Sequence, residues 1–175
     1  MNFNLNEAIV LLSRTPALLN ALLECLSDNW VSQNEGPETW SPYDVVGHLI
    51  AAEKTNWIPR VKVILEGDGH SFEPFDRFAM FETSQGKRLE SLLGEFTTLR
   101  EHNITTLREF KLTENDFEKT GNHPDLGEVT LKQLLATWVV HDLSHTRQIV
   151  RTMAKQYETE VGPWKAYLSI LKNES

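Results

Sequence analysis

Three of the six histidines have the chemistry and the spacing of metal ligands. His141 and His145 are four residues apart in a segment of helical periodicity, so their imidazoles point to one face of a helix. That face also carries Leu134 and Trp138 and is predicted to be buried. Buried imidazoles are costly unless their nitrogens have partners. The pair is therefore interpreted either as two metal ligands or as hydrogen-bonded core histidines.

His48 lies one turn into another predicted helix, beside Val45 and Ala52 at the edge of its apolar face. A third imidazole from a facing helix would complete a site of three histidines, which leaves coordination positions free for water or substrate. Sequence alone does not bring the two helices together, so core or surface histidines remain the alternative. For the divalent metal ion, zinc and nickel lead, with iron and copper as alternatives.

Two carboxylates near these histidines are weaker candidates for catalysis. Glu53 lies one turn past His48 and is interpreted as a carboxylate that supports a ligand histidine, as a general base, or as a surface carboxylate. Asp142 follows His141 but points about 100° away from it on a helix. It therefore either orients an imidazole or is a solvated or helix-pairing carboxylate. The other histidines are expected at the mouth of the site or exposed, without binding metal: His123, His70 and His102.

The composition restricts the class of protein. The 175 residues carry a formal net charge of −8, which disfavours binding to nucleic-acid phosphates. The single cysteine, Cys25, lies in an apolar run that predicts burial, and it excludes a disulfide framework within the chain. No run approaches the roughly 18 apolar residues of a membrane span, and the N-terminus lacks signal-peptide features. We expect one cytoplasmic domain over 1–175 that binds neither nucleic acid nor membrane.

Four long helices, predicted from apolar residues at steps of three and four, position these side chains. Ser41 caps the second helix, and Thr130 caps the fourth in a capping box with Gln133. Pro16 is expected to kink or restart the first helix, and Pro59 to bend the second. No strand is predicted. The helices are expected over 4–27, 42–66, 84–110 and 131–157, with a short helix near 163–171.

The connections between these helices are long, which favours a four-helix bundle with crossovers between parallel neighbours. The connection from Phe72 to Phe81 carries four phenylalanines. It is expected to fold back over the core or to form an apolar patch for a homodimer. Three tryptophans either line a pocket or pack in the bundle: Trp40, Trp57 and Trp138.

Several of these residues together resemble the DinB-like (DinB/YfiT-type) superfamily of metal-dependent four-helix-bundle enzymes, which includes thiol S-transferases. The resemblance covers most of the chain, and its fourth-helix motif is the most specific part. The motifs are Trp40-Ser41-Pro42 leading to His48, Asn122-His123-Pro124 with Gly127 and Thr130-Leu131, and Trp138 to Gln148 with a His-Asp-x-x-His core.

The resemblance implies an all-α four-helix bundle in up-up-down-down order. It also implies a divalent metal held near one end by His48, His141 and His145. Many members carry an additional histidine directly before the last ligand, where this chain has Ser144. A proton-shuttle role assigned to that histidine therefore does not transfer to this chain.

The function implied is a metal-dependent enzyme that transfers a low-molecular-weight thiol or hydrolyses a small substrate. Cationic groups for a thiol cosubstrate would favour transfer, with Arg60, Arg147 and Arg151 as candidates, whereas a positioned carboxylate base would favour hydrolysis. The alternative is a bundle that binds metal without turnover, or a stress-associated interaction protein. A site sealed from solvent would favour this alternative.

Overall fold

Helices account for most of the chain in a computed structural model, which describes residues 2–67 and 70–172. The four predicted long helices are present, although the second is divided into two and short helices flank them. The predicted end of the second helix at Gly67-Asp68-Gly69 lies partly outside the described ranges. In chain order the α-helices are α1 (Leu5–Leu23), α2 (Asp28–Ser32), α3 (Pro42–Thr55), α4 (Trp57–Glu66), α5 (Met80–Thr83), α6 (Leu89–Glu109) and α7 (Leu131–Lys155).

Two apolar clusters along the bundle give the direction of each long helix. α1 and α7 run from the first cluster to the second, whereas α3 with α4, and also α6, run from the second to the first. α6 and α7 each pack against both α1 and α3. The first cluster includes Ile9, Leu12, Ile64, Ile104, Leu107, Leu131, Leu135 and Trp138, and the second includes Leu19, Leu23, Val45, Val46, Leu92, Phe96 and Ile149.

The four-helix bundle is thus confirmed, but its helices run up-down-down-up along the chain rather than up-up-down-down. The connection from α1 to α3 joins two helix ends at the same end of the bundle, so these helices are antiparallel. The connection from α4 to α6 returns along the length of the bundle and makes α3 and α6 parallel neighbours. This single crossover contains the aromatic segment from Phe72 to Phe81.

Pro59 divides the predicted second helix. Proline has no amide hydrogen, and inside a helix its ring collides with the carbonyl four residues earlier, which belongs to Thr55. α3 accordingly ends at Thr55, and α4 begins at Trp57 with Pro59 in its first turn. Asn56, between the two helices, makes no capping hydrogen bond with its side chain. The bend predicted at Pro59 is therefore a break between two helices, and the Asn56 side chain at this break does not cap α4.

Pro16 lies inside α1 without interrupting it, so the prediction of two pieces is wrong. The amide hydrogen that Pro16 lacks would have bonded the carbonyl of Leu12. That carbonyl instead accepts a 2.8 Å hydrogen bond from Arg100 Nη1, and both residues are buried. A buried carbonyl without a partner is destabilising. A side chain distant in sequence thus allows the helix to continue through the proline.

A β-hairpin, which the sequence did not predict, precedes α7. β1 (Thr120–His123) pairs antiparallel with β2 (Gly127–Thr130), and each strand has only four residues. Such short strands give no clear alternation of apolar and polar residues. Thr130 and Gln133 form the predicted capping box where β2 meets α7.

The other terminal features also differ from the predictions in detail. The predicted C-terminal helix consists of two 3₁₀ turns, Gly162–Tyr167 and Ser169–Leu171. Cys25, predicted to be buried, is exposed just after α1 and has a left-handed backbone with φ of 63°. Among the helices described, none has the length and apolar character needed to cross a membrane.

Candidate metal centre

His48, His141 and His145 come together between α3 and α7. Each offers one ring nitrogen, and these three nitrogens lie within 4.8 Å of one another. α3 and α7 are antiparallel neighbours, and the middle of α3 lies opposite the middle of α7. The i, i+4 spacing then places His141 and His145 one above the other opposite His48.

The geometry of these side chains fits a metal ion. The Nε2 atoms of His48 and His141 lie 3.1 Å apart. Two imidazole nitrogens bound to one tetrahedral zinc at about 2.0–2.1 Å would be separated by roughly 3.3–3.4 Å. The same contact also fits a hydrogen bond in which one imidazole donates to the other. In the part of the chain that is described, the Nδ1 atoms of His48 and His141 are buried without a hydrogen-bond partner.

Gln148 orients the third imidazole. Its Oε1 atom lies 2.8 Å from His145 Nδ1, so this nitrogen carries the proton and donates it to the amide oxygen. The Nε2 atom of His145 then carries the lone pair that can bind a metal ion. The Trp40 ring stacks on the His145 ring with centres 6.2 Å apart, and it also lies 4.8 Å from the ring centre of His48.

Burial keeps these imidazoles uncharged near neutral pH. Desolvation is the largest cause, and it lowers the pKa of His48 to about 4 and that of His141 to about 3, with the charge of His145 contributing to both. Burial also lowers the pKa of His145, against the opposing effects of Gln148 and Asp142. An uncharged imidazole is the form that binds a metal ion.

The three histidines lie in a cavity of about 620 Å³ that opens to solvent. Its walls include apolar side chains from the aromatic segment and from the β-hairpin, such as Phe75 and Leu126. The exposed residues Arg77 and Asp125 mark its mouth. Trp40 and Trp57 line it, whereas Trp138 packs in the core and donates its indole hydrogen to Glu53. The site is therefore open to solvent, and the sealed site that would have favoured a non-catalytic bundle is not what the described residues form.

Glu53 and Asp142 lie in a buried ion network rather than on the surface or in the cavity. Arg100 Nη2 donates to Glu53 Oε1 at 2.8 Å, and Arg100 Nη1 donates to Asp142 Oδ2 at 2.6 Å. Asn103 and Trp138 donate to Glu53 as well. The surface interpretation of Glu53 is therefore wrong, while Asp142 pairs helices, one of its two predicted roles.

The hydrogen bonds and charges of this network determine the ionisation of Glu53. Burial raises the pKa of Glu53, and the Arg100 guanidinium opposes this effect. The described partners of the Glu53 carboxylate all donate hydrogen bonds to it, so they stabilise its ionised form. Two carboxylates and one guanidinium leave one net negative charge. These charges act on the neighbouring histidines with opposite signs, since Asp142 raises the pKa of His145 and Arg100 lowers the pKa of His141.

Most of the remaining predicted residues lie outside the histidine cluster. His123 lines the cavity, where its Nδ1 accepts backbone hydrogen bonds of the hairpin turn, and His70 and His102 are exposed as predicted. Arg60 lines the cavity, whereas Arg151 pairs with Glu35 and Arg147 lines a separate cleft.

The aromatic segment from Phe72 to Phe81 divides into two parts. Phe72 is buried in the first apolar cluster, and Phe75 approaches His48 with ring centres 5.5 Å apart. Phe78 and Phe81 are half-exposed and stack on each other. The first part folds back over the core as expected, and a homodimer through the second part stays a prediction.

Sequence reasoning missed Arg100, which holds both carboxylates. A signal was available, since Phe96, Arg100, Asn103 and Leu107 follow one another at steps of three and four on one face of α6. An arginine within an apolar stripe indicates a buried ion pair. Which carboxylates it meets depends on helices far away in the sequence.

Known proteins resemble this chain in sequence and in fold. The sequence profile of the DinB superfamily matches residues 11–149. The Bacillus subtilis (strain 168) protein named "Putative metal-dependent hydrolase YfiT" is 28% identical over 143 residues, which cover 81% of this chain and 79% of that protein.

Two solved structures show the same fold. The structure of YfiT from Bacillus subtilis, described as a probable metal-dependent hydrolase with an unusual four-helix bundle topology, matches with a TM-score of 0.76 at 24% identity, over 87% of each chain. A DinB-like protein of Bacillus subtilis, YjoA, matches with a TM-score of 0.53 at 19% identity, over 86% of this chain and 92% of that one.

Proposed function

This chain belongs to the DinB superfamily, and from that premise we propose that it is a metal-dependent hydrolase of small molecules. The family resemblance drawn from the sequence motifs is thereby confirmed. In the proposal, His48, His141 and His145 hold one divalent cation, with zinc and nickel as the leading metals. Glu53 and Asp142 hold the helices in position instead of acting on substrate.

The convergence of three uncharged imidazoles at an open cavity is the observation that carries this proposal. A structural histidine cluster would have no need of a solvent-open cavity beside it. The relative YfiT, named as a metal-dependent hydrolase, supports the choice of reaction.

A divalent cation with three imidazole ligands lowers the pKa of a bound water or thiol and so supplies a nucleophile near neutral pH. The protein's own side chains bind and orient. Gln148 fixes the His145 ring, and Arg100 fixes α3 and α7 relative to α6 through Glu53 and Asp142. Apolar cavity walls limit the access of bulk water to the substrate.

Thiol S-transfer is the second candidate reaction, and one observation favours it. The cavity holds one buried cationic side chain, Arg60, suited to the carboxylate of a thiol cosubstrate. The acidic side chain among its lining residues, Asp125, is exposed on the hairpin turn at the mouth. The described residues therefore place no carboxylate base deep in the cavity. Hydrolysis requires such a base more often than thiol transfer does.

Elemental analysis of untagged protein tests the metal site. We expect about one divalent metal per chain in the wild type, because three imidazoles bind zinc tightly. This metal should be lost in His48→Ala, His141→Ala and His145→Ala. His123→Ala is the matched control, since His123 lines the same cavity outside the cluster. Full metal content in any of the three variants would contradict the site.

The reaction is tested with the metal-loaded protein. Small ester and amide substrates report hydrolysis, and N-acetylcysteine with monochlorobimane reports thiol transfer. Activity that disappears in His141→Ala and stays in His102→Ala, a change of an exposed histidine on α6, assigns the reaction. A protein that holds metal and turns over neither class supports the alternative of a metal-binding bundle without catalysis.

A further inference from the structure

Arg60 is a buried cation in the wall of the cavity. Arg60 is 8% exposed, and its guanidinium carbon Cζ lies 5.0 Å from the centre of the Phe72 ring. Within the described part of the chain, its side chain makes one hydrogen bond, a weak 3.4 Å contact from Nη2 to the carbonyl of Glu73. Among the residues that the structure describes, no carboxylate forms an ion pair with it. Burying a cation without an anionic partner is costly.

Other polar atoms on the same wall also lack partners. Asn56, Trp57 and Arg60 follow the break between α3 and α4 at helical spacing, so they share one side of the chain. Trp57 Nε1 and Asn56 Oδ1 are buried without hydrogen-bond partners within the described ranges. These two atoms are themselves shielded from solvent, so a ligand in the cavity reaches Arg60 rather than them.

We propose that Arg60 is the recognition residue for the carboxylate of a small amphipathic substrate, whose other end reaches the three histidines. A planar guanidinium matches a carboxylate with two parallel hydrogen bonds. One buried guanidinium suits one negative charge, and a dianionic phosphate bound to it would leave one charge unbalanced in a buried position. The apolar body of the substrate would pack on Phe72, Phe75 and Leu126, which line the same cavity.

The cavity connects Arg60 with the three histidines. Trp57 lies one turn before Arg60, and its ring centre is 5.1 Å from that of His141. A substrate held at Arg60 therefore extends past Trp57 to the histidines. Exposed Arg77 at the mouth adds positive potential on the approach, while Asp125 opposes it. The inference rests on the proposed function, because it takes the histidine cluster as the reacting end.

A matched pair of probes tests the carboxylate. 3-Phenylpropionate and its neutral amide, 3-phenylpropanamide, are titrated into ¹⁵N-labelled protein as purified, and the indole N–H signal of Trp57 is followed after assignment with Trp57→Phe. We expect the acid to shift this signal saturably and to bind about 10-fold or more tightly than the amide, because hydrogen bonds to charged groups are the strong ones.

Variants then locate the charge. Arg60→Gln should remove most of the preference for the acid, and Arg108→Gln, which removes a positive charge from an exposed position on α6, should keep it. Circular dichroism checks the fold of Arg60→Gln, and the comparison of acid with amide in the wild type stands without any variant. Equal binding of acid and amide, or an acid preference that survives in Arg60→Gln, would overturn the proposal.

His145→Ala separates this inference from the proposed function. This variant should lose the metal and keep the acid preference. Loss of the preference in His145→Ala together with its retention in Arg60→Gln would place the carboxylate on the metal. That result contradicts the subsite and supports the metal centre. A preference that depends on Arg60 in a protein that never binds metal would support the subsite and contradict the proposed function.

Discussion

Arg100 Nη1 donates a 2.8 Å hydrogen bond to the carbonyl of Leu12, the acceptor that Pro16 leaves without its helical partner. The same guanidinium binds Glu53 on α3 and Asp142 on α7. One side chain on α6 therefore holds all three other long helices. Because Asp142 lies in the turn between His141 and His145, the helix that carries two candidate ligands is held through Arg100.

Arg100→Leu should destabilise the protein by about 3–5 kcal/mol, because it leaves two buried carboxylates unpaired. Thr15, which donates to Asp142 at 2.7 Å, cannot compensate for the lost charge. Urea unfolding of the metal-free protein measures the change. Arg108→Leu is the control on the same helix, and its exposed position predicts a change within about 0.5 kcal/mol. A loss below about 1 kcal/mol in Arg100→Leu would contradict the role of the network.

The candidate ligands could be found from the sequence because their signal is local. Four-residue spacing places His141 and His145 on one face of any helix, and caps such as Thr130 fix where that helix begins. His48 was identified by its position on a second helix. The family resemblance then joined the two helices, which periodicity alone could not do.

The features that escaped prediction depend on contacts between distant residues. Pro16 was expected to kink or restart α1, and the helix continues because Arg100, far along the chain on α6, supplies a donor. Glu53 was more readily interpreted as a surface residue, because no local pattern indicates that Asn103 and Trp138 meet it. Tertiary partners decide such positions, and spacing within one helix does not reveal them.

Gln148→Ala should weaken zinc affinity by about 10-fold to 100-fold, the usual effect of losing the partner that orients a ligand histidine. The His145 ring loses its acceptor at Nδ1, so its tautomer and orientation are no longer fixed. Competition with a chromogenic chelator measures the affinity. Gln148→Glu keeps an acceptor at the same position and should retain wild-type affinity or exceed it. Gln85→Ala, at an exposed site, is the control, and an unchanged affinity in Gln148→Ala would contradict the role of Gln148.

The metal-free protein should lose stability as the pH falls below about 6.5, the value for a histidine in an unfolded chain. The folded-state pKa values of His48 and His141 lie at about 4 and about 3. Between these values and about 6.5 the unfolded state binds more protons, so lowering the pH favours unfolding. Each histidine should contribute a loss of about 2 kcal/mol between roughly pH 7 and pH 5.

Other groups titrate in the same range, so the histidine contribution is isolated by difference. His141→Gln should reduce the loss between these two pH values by about 2 kcal/mol relative to the wild type. Thr137→Ala, one turn earlier on α7 and also in the cavity wall, controls for local packing without a titratable group. Identical pH dependence in His141→Gln and the wild type would show that His141 is not held uncharged by burial.

Gly121→Ala should destabilise the protein by about 1–3 kcal/mol, the usual cost of an added methyl group in a packed site. A Cβ atom at Gly121 would lie 2.6 Å from Phe72 Cε1 and 2.9 Å from Ile64 Cγ1. The Arg60 guanidinium lies over the face of the Phe72 ring, so the same change should also weaken the binding of any ligand held by Arg60.

Gly94→Ala is the matched control, because a Cβ atom added at Gly94 meets open space on an exposed face of α6. Alanine is the better helix former, so Gly94→Ala should stabilise the protein by about 0.5–1 kcal/mol. Thermal unfolding of the two variants beside the wild type measures both shifts, and shifts of the same sign would contradict the close packing of β1 against Phe72.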